Sequence, residues 1–205
     1  MKKLIETIKN IFKIEELRKR ILFTLSLLLV YRFGSFVVIP GINPAALNDL
    51  QSQVDGNGLL GLLNIFSGGA FSNASIFALG IMPYISASIV VQLLGIAVPY
   101  FQRMQREGES GRRKINQITR YLTIIILILQ GSAYLTNLHA QIQPEFFLIK
   151  GAFFTIYSVI ILAAGSMFVL WLGEKITDKG IGNGVSIIIM IGIIARLPFA
   201  FFAEL

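Results

Sequence analysis

The chain has 205 residues, of which 55% are hydrophobic and 14% are charged, and its formal net charge is +7. Soluble domains carry about 25% charged residues, so this composition excludes an ordinary soluble domain and predicts helices packed in a membrane. Cysteine is absent, which excludes disulfides and thiolate metal sites within these residues.

The N-terminal part predicts a surface helix followed by a first span. Residues 1–20 place aliphatic side chains at helical spacing among lysines, which is typical of a basic amphipathic helix at an anionic membrane surface. A solvated basic lead-in that only fixes the topology fits the same pattern. Residues 21–39 form the first predicted span, and residues 43–58 read as an external loop. Arg32 lies inside the span, where a charge is a functional candidate; we favour snorkelling or pairing with backbone carbonyls.

A broken apolar stretch comes next. Residues 59–71 form a half-length apolar piece and residues 75–94 a full-length one, with Gly68 and Gly69 near the break. Backbone that is not helical survives at membrane depth only when protein or a water-filled cavity surrounds it. We therefore predict a short re-entrant helix followed by a true span, and hence a pore or a transport site.

The remaining residues predict three more spans and two polar loops. Residues 99–120 are rich in arginine and read as a basic hydrophilic loop. The three spans are predicted at 118–138, 151–172 and 185–202, with a short polar loop at 173–184.

Charge predicts the orientation of these spans. With the N-terminus inside, all of the 18 basic residues except Arg32, Lys150 and Arg196 lie on the interior side. This satisfies the positive-inside rule. It holds for five crossings only if residues 59–71 do not cross, which independently favours the re-entrant interpretation.

The sequence offers no catalytic constellation. The single histidine, His139, lies in a predicted external loop, and no predicted span holds an Asp or Glu. These observations argue against acid–base catalysis, a metal site and a proton relay. We predict a protein that is not an enzyme and has no cofactor. Gln130 lies in mid-span, where a structural hydrogen bond is the default and a lined interface the sharper alternative.

Aliphatic rows are the other informative pattern. Ile81, Ile85 and Ile89 follow helical spacing, and Val185 and Ile189 repeat the i, i+4 placement. Because β-branched side chains are stiff, such rows are able to form a hydrophobic constriction that gates by dewetting. Ordinary packing or lipid contact is the commoner explanation of such a pattern.

Four long runs resemble the channel-forming subunit of bacterial preprotein translocases, the SecY family: residues 32–42, 64–94, 107–121 and 171–190. Members of that family have ten spans in two pseudo-symmetric halves, and this chain resembles the first half. The resemblance implies an all-α integral membrane protein with five transmembrane helices and a short re-entrant plug helix, half of a ten-helix channel. Residues 1–20 would be its cytosolic helix and residues 21–205 its five-span body. We expect a truncated half that does not form a closed, selective channel alone.

The resemblance also implies roles for individual residues. Residues 59–71 are similar to the plug, whose implied members are Leu60, Leu63, Ile65, Phe66, Ser67, Gly68 and Gly69. The implied share of the pore ring is Ile81, Ile85, Val185 and Ile189. The implied lateral-gate residues are Ser86, Ile89 and Gln130. Arg112, Arg113 and Lys114 would face cytosolic partners.

The implied function is passage of unfolded preproteins across the bacterial cytoplasmic (inner) membrane and release of transmembrane segments into it, with the N-terminus cytosolic. Implied partners are SecE- and SecG-type small membrane subunits, the SecA motor ATPase, the ribosome, signal-sequence-bearing preproteins and anionic lipids, without specific nucleic-acid recognition. Half of a secondary transporter with a broken-helix midplane site is the alternative. A scaffolding membrane subunit is a third.

Overall fold

The computed structural model describes residues 14–47, 50–51, 58–149 and 151–203. Most of the predicted surface helix (1–20), part of the predicted external loop (43–58), Lys150 and the side chain of Arg196 therefore lie outside the described residues. Throughout the described ranges the regular structure is helical, apart from two isolated β-bridges that join Val38 to Ser75 and Ile42 to Phe147. The all-α fold class is thereby confirmed.

Seven α-helices have described bounds: α1 (Glu15–Gly34), α2 (Gly58–Phe66), α3 (Met82–Ala97), α4 (Pro99–Arg106), α5 (Glu109–Gln141), α6 (Ala152–Lys179) and α7 (Gly184–Ala203). Short 3-10 helices occupy Pro44–Ala46 and Pro144–Phe146. The long helix α5 packs against both α3 and α6, and α6 also contacts α1 and α7. The short helix α2 contacts α7. The segment that follows α2 packs among α1, α5, α6 and α7.

The predicted loop over residues 99–120 is wrong, because most of this basic region is helical. Pro99 begins α4 after Val98, which is extended as residues before proline tend to be, and α4 turns by 99° from α3. Gly108, at φ 72°, then allows the tight turn into α5. The region is polar, but it is rich in Arg, Gln and Glu, which are good helix formers. Its polarity therefore does not distinguish a loop from an exposed helix.

The predicted polar loop at 173–184 is also mostly wrong. Helix α6 continues to Lys179, and Gly184 already begins α7. The turn between them is short because the Thr177 hydroxyl accepts a hydrogen bond from the Gly184 N–H at 2.9 Å. The amphiphilic end of α6 was read as a loop because its charged residues interrupt the apolar run.

Two of the predicted spans are only partly helical. Helix α1 ends at Gly34, short of residue 39, and α3 begins at Met82, well after residue 75. The physical reason is that the two intervening backbones pair with each other. The Ile39 N–H donates to the Ala74 carbonyl at 2.8 Å, and the Ile76 N–H donates to the Val37 carbonyl at 2.9 Å.

Residues 67–81, which we call the joint, are non-helical and lie at the centre of the fold. The joint contributes to two hydrophobic clusters. Phe71, Ala74 and Ala78 belong to the first, with residues of α5 and α6. Ala70, Phe77 and Ile81 belong to the second, with residues of α1, α6 and α7. Protein therefore surrounds this irregular backbone, as the membrane environment requires of non-helical segments.

Two helices, α5 and α6, are long and apolar enough to cross a membrane, and the bent pair α3 and α4 makes a third if it counts as one span. Helix α7 contributes a shorter apolar segment over Gly184–Ala195. Apolar helices of membrane length are thus present in the described part of the chain.

Candidate functional site

The short helix α2 is anchored at its end by a buried asparagine. Asn64 is fully buried, and its side-chain oxygen accepts a hydrogen bond from the Ser72 N–H at 3.1 Å. The backbone carbonyl of Asn64 accepts hydrogen bonds from the Gly69 N–H at 2.9 Å and from the Ser67 hydroxyl at 3.1 Å. Among the residues of α2 assigned to the plug from the resemblance, Leu60 and Leu63 are half-buried, whereas Ile65 and Phe66 are exposed. The helix is thus tied to the joint through both the side chain and the backbone carbonyl of Asn64.

Three side chains from the long helices hold carbonyls of the joint. The Arg32 guanidinium donates from Nη1 to the Gly68 carbonyl at 2.7 Å. The Tyr31 hydroxyl donates to the Ser67 carbonyl at 3.3 Å, and the Tyr134 hydroxyl donates to the Phe71 carbonyl at 2.9 Å. The expectation that Arg32 pairs with backbone carbonyls is confirmed. Arg32 also lies 4.8 Å from the centroid of the Phe36 ring, a cation–π contact.

Two adjacent glycines at the start of the joint, Gly68 and Gly69, adopt backbone conformations that favour glycine. Gly68 has φ 65° and Gly69 has φ 90°, a region that L side chains rarely adopt. Gly68 also lies against Gly192 of α7: a Cβ at Gly68 would come within 3.0 Å of the Gly192 Cα. In turn, a Cβ at Gly192 would lie 2.8 Å from the Phe66 carbonyl oxygen. Any side chain at these positions would push α2 and α7 apart.

The residues assigned to the pore ring share one hydrophobic cluster. Ile81 is 5% exposed and lies in the buried part of the second cluster. Ile85, Val185 and Ile189 are half-buried and pack around it. Helix α3 supplies Ile85 and α7 supplies Val185 and Ile189, while Ile81 caps the N-terminus of α3. The structure therefore brings these four residues, predicted from two distant rows, together within the second cluster. We call these four residues, together with Ile188, the aliphatic cluster.

A cavity of about 320 Å³ lies between α2, α3, α5 and the joint. Twelve side chains line it: Leu60, Leu63, Ser67, Phe71, Ala78, Leu79, Met82, Ser86, Gln130, Ala133, Tyr134 and Asn137. Ser86 and Gln130, assigned to the gate, thus face the same space as two residues of the plug helix. Ile89 does not line this cavity and is 51% exposed. Gln130 thus lines an interface between helices, as the second of the two interpretations of its mid-span position predicts.

The basic residues assigned to docking lie exposed in the first turns of α5. Arg113 pairs with Glu109 at 3.4 Å and Lys114 pairs with Glu107 at 3.5 Å. Further along α5, Arg120 makes a two-pronged ion pair with Glu174 of α6, with both contacts from Nη2 at 2.7 Å. Exposed pairs of this kind contribute little stability. Because Glu107 and Glu109 partner two of the three basic residues, these five side chains together carry a net charge of +1.

Sequence reasoning missed several residues of this site. Tyr31, Tyr134 and Gly192 hold or contact the joint, and Ile188 is almost fully buried in the aliphatic cluster. Signals existed for the tyrosines, because a phenol within an apolar span needs a hydrogen-bond partner. No local pattern distinguishes Gly192, because its role depends on a contact with a helix more than a hundred residues earlier.

The site is largely apolar. The described residues hold no group of three His, Asp or Glu side chains able to bind a metal ion. The site combines a short helix, an aliphatic cluster and a largely apolar cavity.

Comparisons with known proteins give a family. The SecY family model matches residues 75–205. Protein translocase subunit SecY of Escherichia coli K12 is 50% identical over 184 residues, which is 89% of this chain and 41% of that protein. SecY of Aquifex aeolicus is 44% identical over 199 residues, which is 95% of this chain and 46% of that protein. The chain therefore spans less than half the length of these relatives.

Solved structures show the same fold. Sec61 in the canine ribosome–channel complex from the endoplasmic reticulum matches with a TM-score of 0.56 at 20% identity, covering 89% of this chain and 37% of that chain. A structure described as a protein conducting channel matches with a TM-score of 0.57, with the same identity and the same coverage of both chains.

Proposed function

The chain belongs to the SecY family, and from that membership we propose that it is the plug-bearing half of a protein-conducting channel. The complete channel passes unfolded preproteins across the bacterial cytoplasmic membrane and releases transmembrane segments into it. The family match leaves the secondary-transporter and scaffold alternatives without a specific observation in their favour.

One observation carries this proposal: a helix too short to cross a membrane shares a buried centre with an aliphatic cluster and a cavity. Helix α2 has 9 residues, and at about 1.5 Å per residue it spans about 14 Å, against a hydrocarbon core of about 30 Å. It ends in the joint, from which Ile81 enters the aliphatic cluster. This arrangement supports α2 as a plug beside a constriction.

The proposed topology has five crossings, formed by α1, α3, α5, α6 and α7, with α2 re-entrant. These correspond to the spans 21–39, 75–94, 118–138, 151–172 and 185–202, with residues 1–20 on the cytosolic side. The charge distribution supports a cytosolic N-terminus, because nearly all basic residues then lie inside. The bend between α3 and α4 supports a cytosolic helical hairpin in place of a loop.

The mechanism uses three parts of the site. A signal sequence enters at the cavity between α3 and α5, where Ser86 and Gln130 offer hydrogen bonds to a polypeptide in a mostly apolar space. Ile89, exposed further along α3, belongs to the lipid-facing margin of that gate. Helix α2 with Gly68 and Gly69 then leaves, and the unfolded chain passes Ile81, Ile85, Val185 and Ile189. Stiff aliphatic side chains close around an extended chain and exclude water and ions.

Energy and targeting come from partners. SecE- and SecG-type subunits complete the membrane complex, and the SecA motor ATPase or a ribosome docks on the cytosolic side. The exposed Arg112, Arg113 and Lys114 on the hairpin present a positive surface to such a partner or to anionic lipids. No part of this arrangement requires a cofactor.

Deleting the plug tests the proposal. In the complete channel reconstituted in vesicles, deletion of residues 60–70 removes the seal but leaves the aliphatic cluster, so ion leakage without substrate should rise several-fold. Leakage is measured by single-channel conductance or ion-flux dyes. A second variant replaces only residues 58–63 with a Gly-Ser linker of equal length, which keeps Asn64 and the joint. Unchanged leakage in both variants, with normal assembly, would contradict the plug assignment.

A further inference from the structure

Gly68 contacts residues of two distant helices. Arg32 of α1 donates a hydrogen bond to the Gly68 carbonyl at 2.7 Å. The backbone of Gly192 in α7 lies so close that a Cβ added to Gly68 would come to 3.0 Å from the Gly192 Cα. We propose that Arg32 and Gly192, which we call the clamp, are positioning residues that hold the plug helix closed. This inference rests on the proposed function of α2 as a plug.

The hydrogen bond of Arg32 has few substitutes at this depth. A guanidinium inside an apolar span is costly unless it is paired, and hydrogen bonds to charged groups are stronger than neutral ones. The Gly68 carbonyl belongs to a residue with φ 65°, so its orientation depends on the turn that follows α2. When the turn moves, Arg32 loses this acceptor. The closed position is therefore the one in which the charge is satisfied.

The contact with Gly192 depends on a close approach of two backbones. A Cβ at Gly192 would lie 2.8 Å from the Phe66 carbonyl oxygen and 3.3 Å from the Gly68 nitrogen. Cβ atoms in proteins almost never come closer than 3.0 Å to another heavy atom, so the 2.8 Å separation would force the backbone to move. Since both partners are backbone atoms, no side chain is able to rotate away and make room. The last turn of α2 approaches α7 as closely as it does only because position 192 is glycine.

Together the two contacts couple the plug to the relative position of α1 and α7. Arg32 is on α1 and Gly192 is on α7, and Gly68 lies between them. A movement that separates these helices removes one contact or both. Plug release is thereby linked to movement of the helix walls and does not depend on the arriving polypeptide alone.

Thiol labelling in the complete channel tests the arginine. These 205 residues hold no cysteine, so Ser67→Cys, in a complete channel whose other cysteines are replaced, places a single thiol at a joint residue that is 4% exposed. In the Arg32→Met background its labelling rate without substrate should rise at least about tenfold, which corresponds to about 1.4 kcal/mol, and ion leakage should rise with it. Arg32→Lys, which keeps a charge and a donor, should restore part of the protection.

Two controls separate the clamp from general damage. Phe36→Leu removes the cation–π contact but leaves the hydrogen bond, and labelling should stay near the level of the parent. Ser158→Cys, fully buried in α6, should stay protected in the Arg32→Met background. Equal labelling of Ser67→Cys with and without Arg32→Met would overturn the inference, as would simultaneous exposure of Ser158→Cys.

A matched pair of substitutions tests the glycine. Gly192→Ala should raise leakage and the labelling of Ser67→Cys. Gly131→Ala makes the same change in α5, where an added Cβ meets nothing closer than 3.7 Å, and should leave both unchanged. If plug deletion raises leakage but neither Arg32→Met nor Gly192→Ala does, the clamp fails and the plug stands. If plug deletion also changes nothing, the proposed function itself fails.

Discussion

Arg32 shows how a single charge is accommodated in an apolar helix. Its partner is a backbone carbonyl 36 residues away along the chain. The sequence predicted this type of pairing, because the alternatives for a guanidinium within an apolar span are few. It did not predict the partner, since every carbonyl looks alike in sequence and only the fold decides which one is near.

Tyr134 makes the corresponding contact on the opposite side of the joint. Its hydroxyl is buried and donates to the Phe71 carbonyl at 2.9 Å, and its ring lies edge-on to Phe71 at 4.8 Å. Tyr134→Phe would leave the ring contact and remove one of the two hydrogen bonds that the Phe71 carbonyl accepts, the other coming from the Ala74 N–H at 3.3 Å. We expect the free energy of unfolding to fall by about 0.5 to 1.5 kcal/mol, measured by thermal or denaturant unfolding of the purified channel.

The control for this substitution is Tyr121→Phe on the same helix. Tyr121 is 70% exposed, so the same loss of a hydroxyl should leave stability unchanged. An equal effect of both substitutions, or no effect of Tyr134→Phe, would contradict the role assigned to this hydrogen bond.

At the scale of elements, helices were predicted by type better than by length. The apolar cores of α5, α6 and α7 were evident from hydropathy, because membrane-length apolar runs are a strong signal. The polar ends of these helices were not evident from hydropathy, since the basic residues before position 120 and the charged end of α6 have the composition of loops. Conversely, the apolar character of residues 75–81 predicts part of a span, whereas in the fold these residues form turns.

The contact between α6 and the joint gives a testable prediction about how these two elements pack. A Cβ at Gly165 would collide with the carbonyl oxygen of Ile76, so Gly165→Ala must push α6 away from the joint. Overpacking of this kind costs about 1 to 3 kcal/mol, and we expect a lower yield of folded channel and a lower melting temperature.

Gly173→Ala on the same helix is the matched control. There an added Cβ would meet nothing closer than 3.4 Å, which is ordinary contact, so stability should hold. Comparable melting temperatures for the two variants would show that α6 does not pack against the joint as tightly as described.

At the scale of the whole molecule, the joint lies where the two hydrophobic clusters meet. Its carbonyls are held by α1 and α5, and its Gly68 contacts α7. The need for surrounding protein followed from sequence, because non-helical backbone at membrane depth demands it. The identity of the surrounding helices did not, since these contacts join residues far apart in the chain. The four aliphatic residues of the proposed ring were named on family resemblance, and periodicity alone would have left them as ordinary packing.

In the proposed channel the aliphatic cluster faces a polypeptide in transit. The most direct measurement arrests a preprotein in the complete channel and places a photoreactive residue in turn at Ile81, Ile85, Val185 and Ile189. Leu129, which is 66% exposed on α5, serves as the control position. We expect crosslinks to the arrested chain from the four cluster positions and none from Leu129. Crosslinks that are absent from the cluster, or equally strong at Leu129, would rule out this role for the cluster.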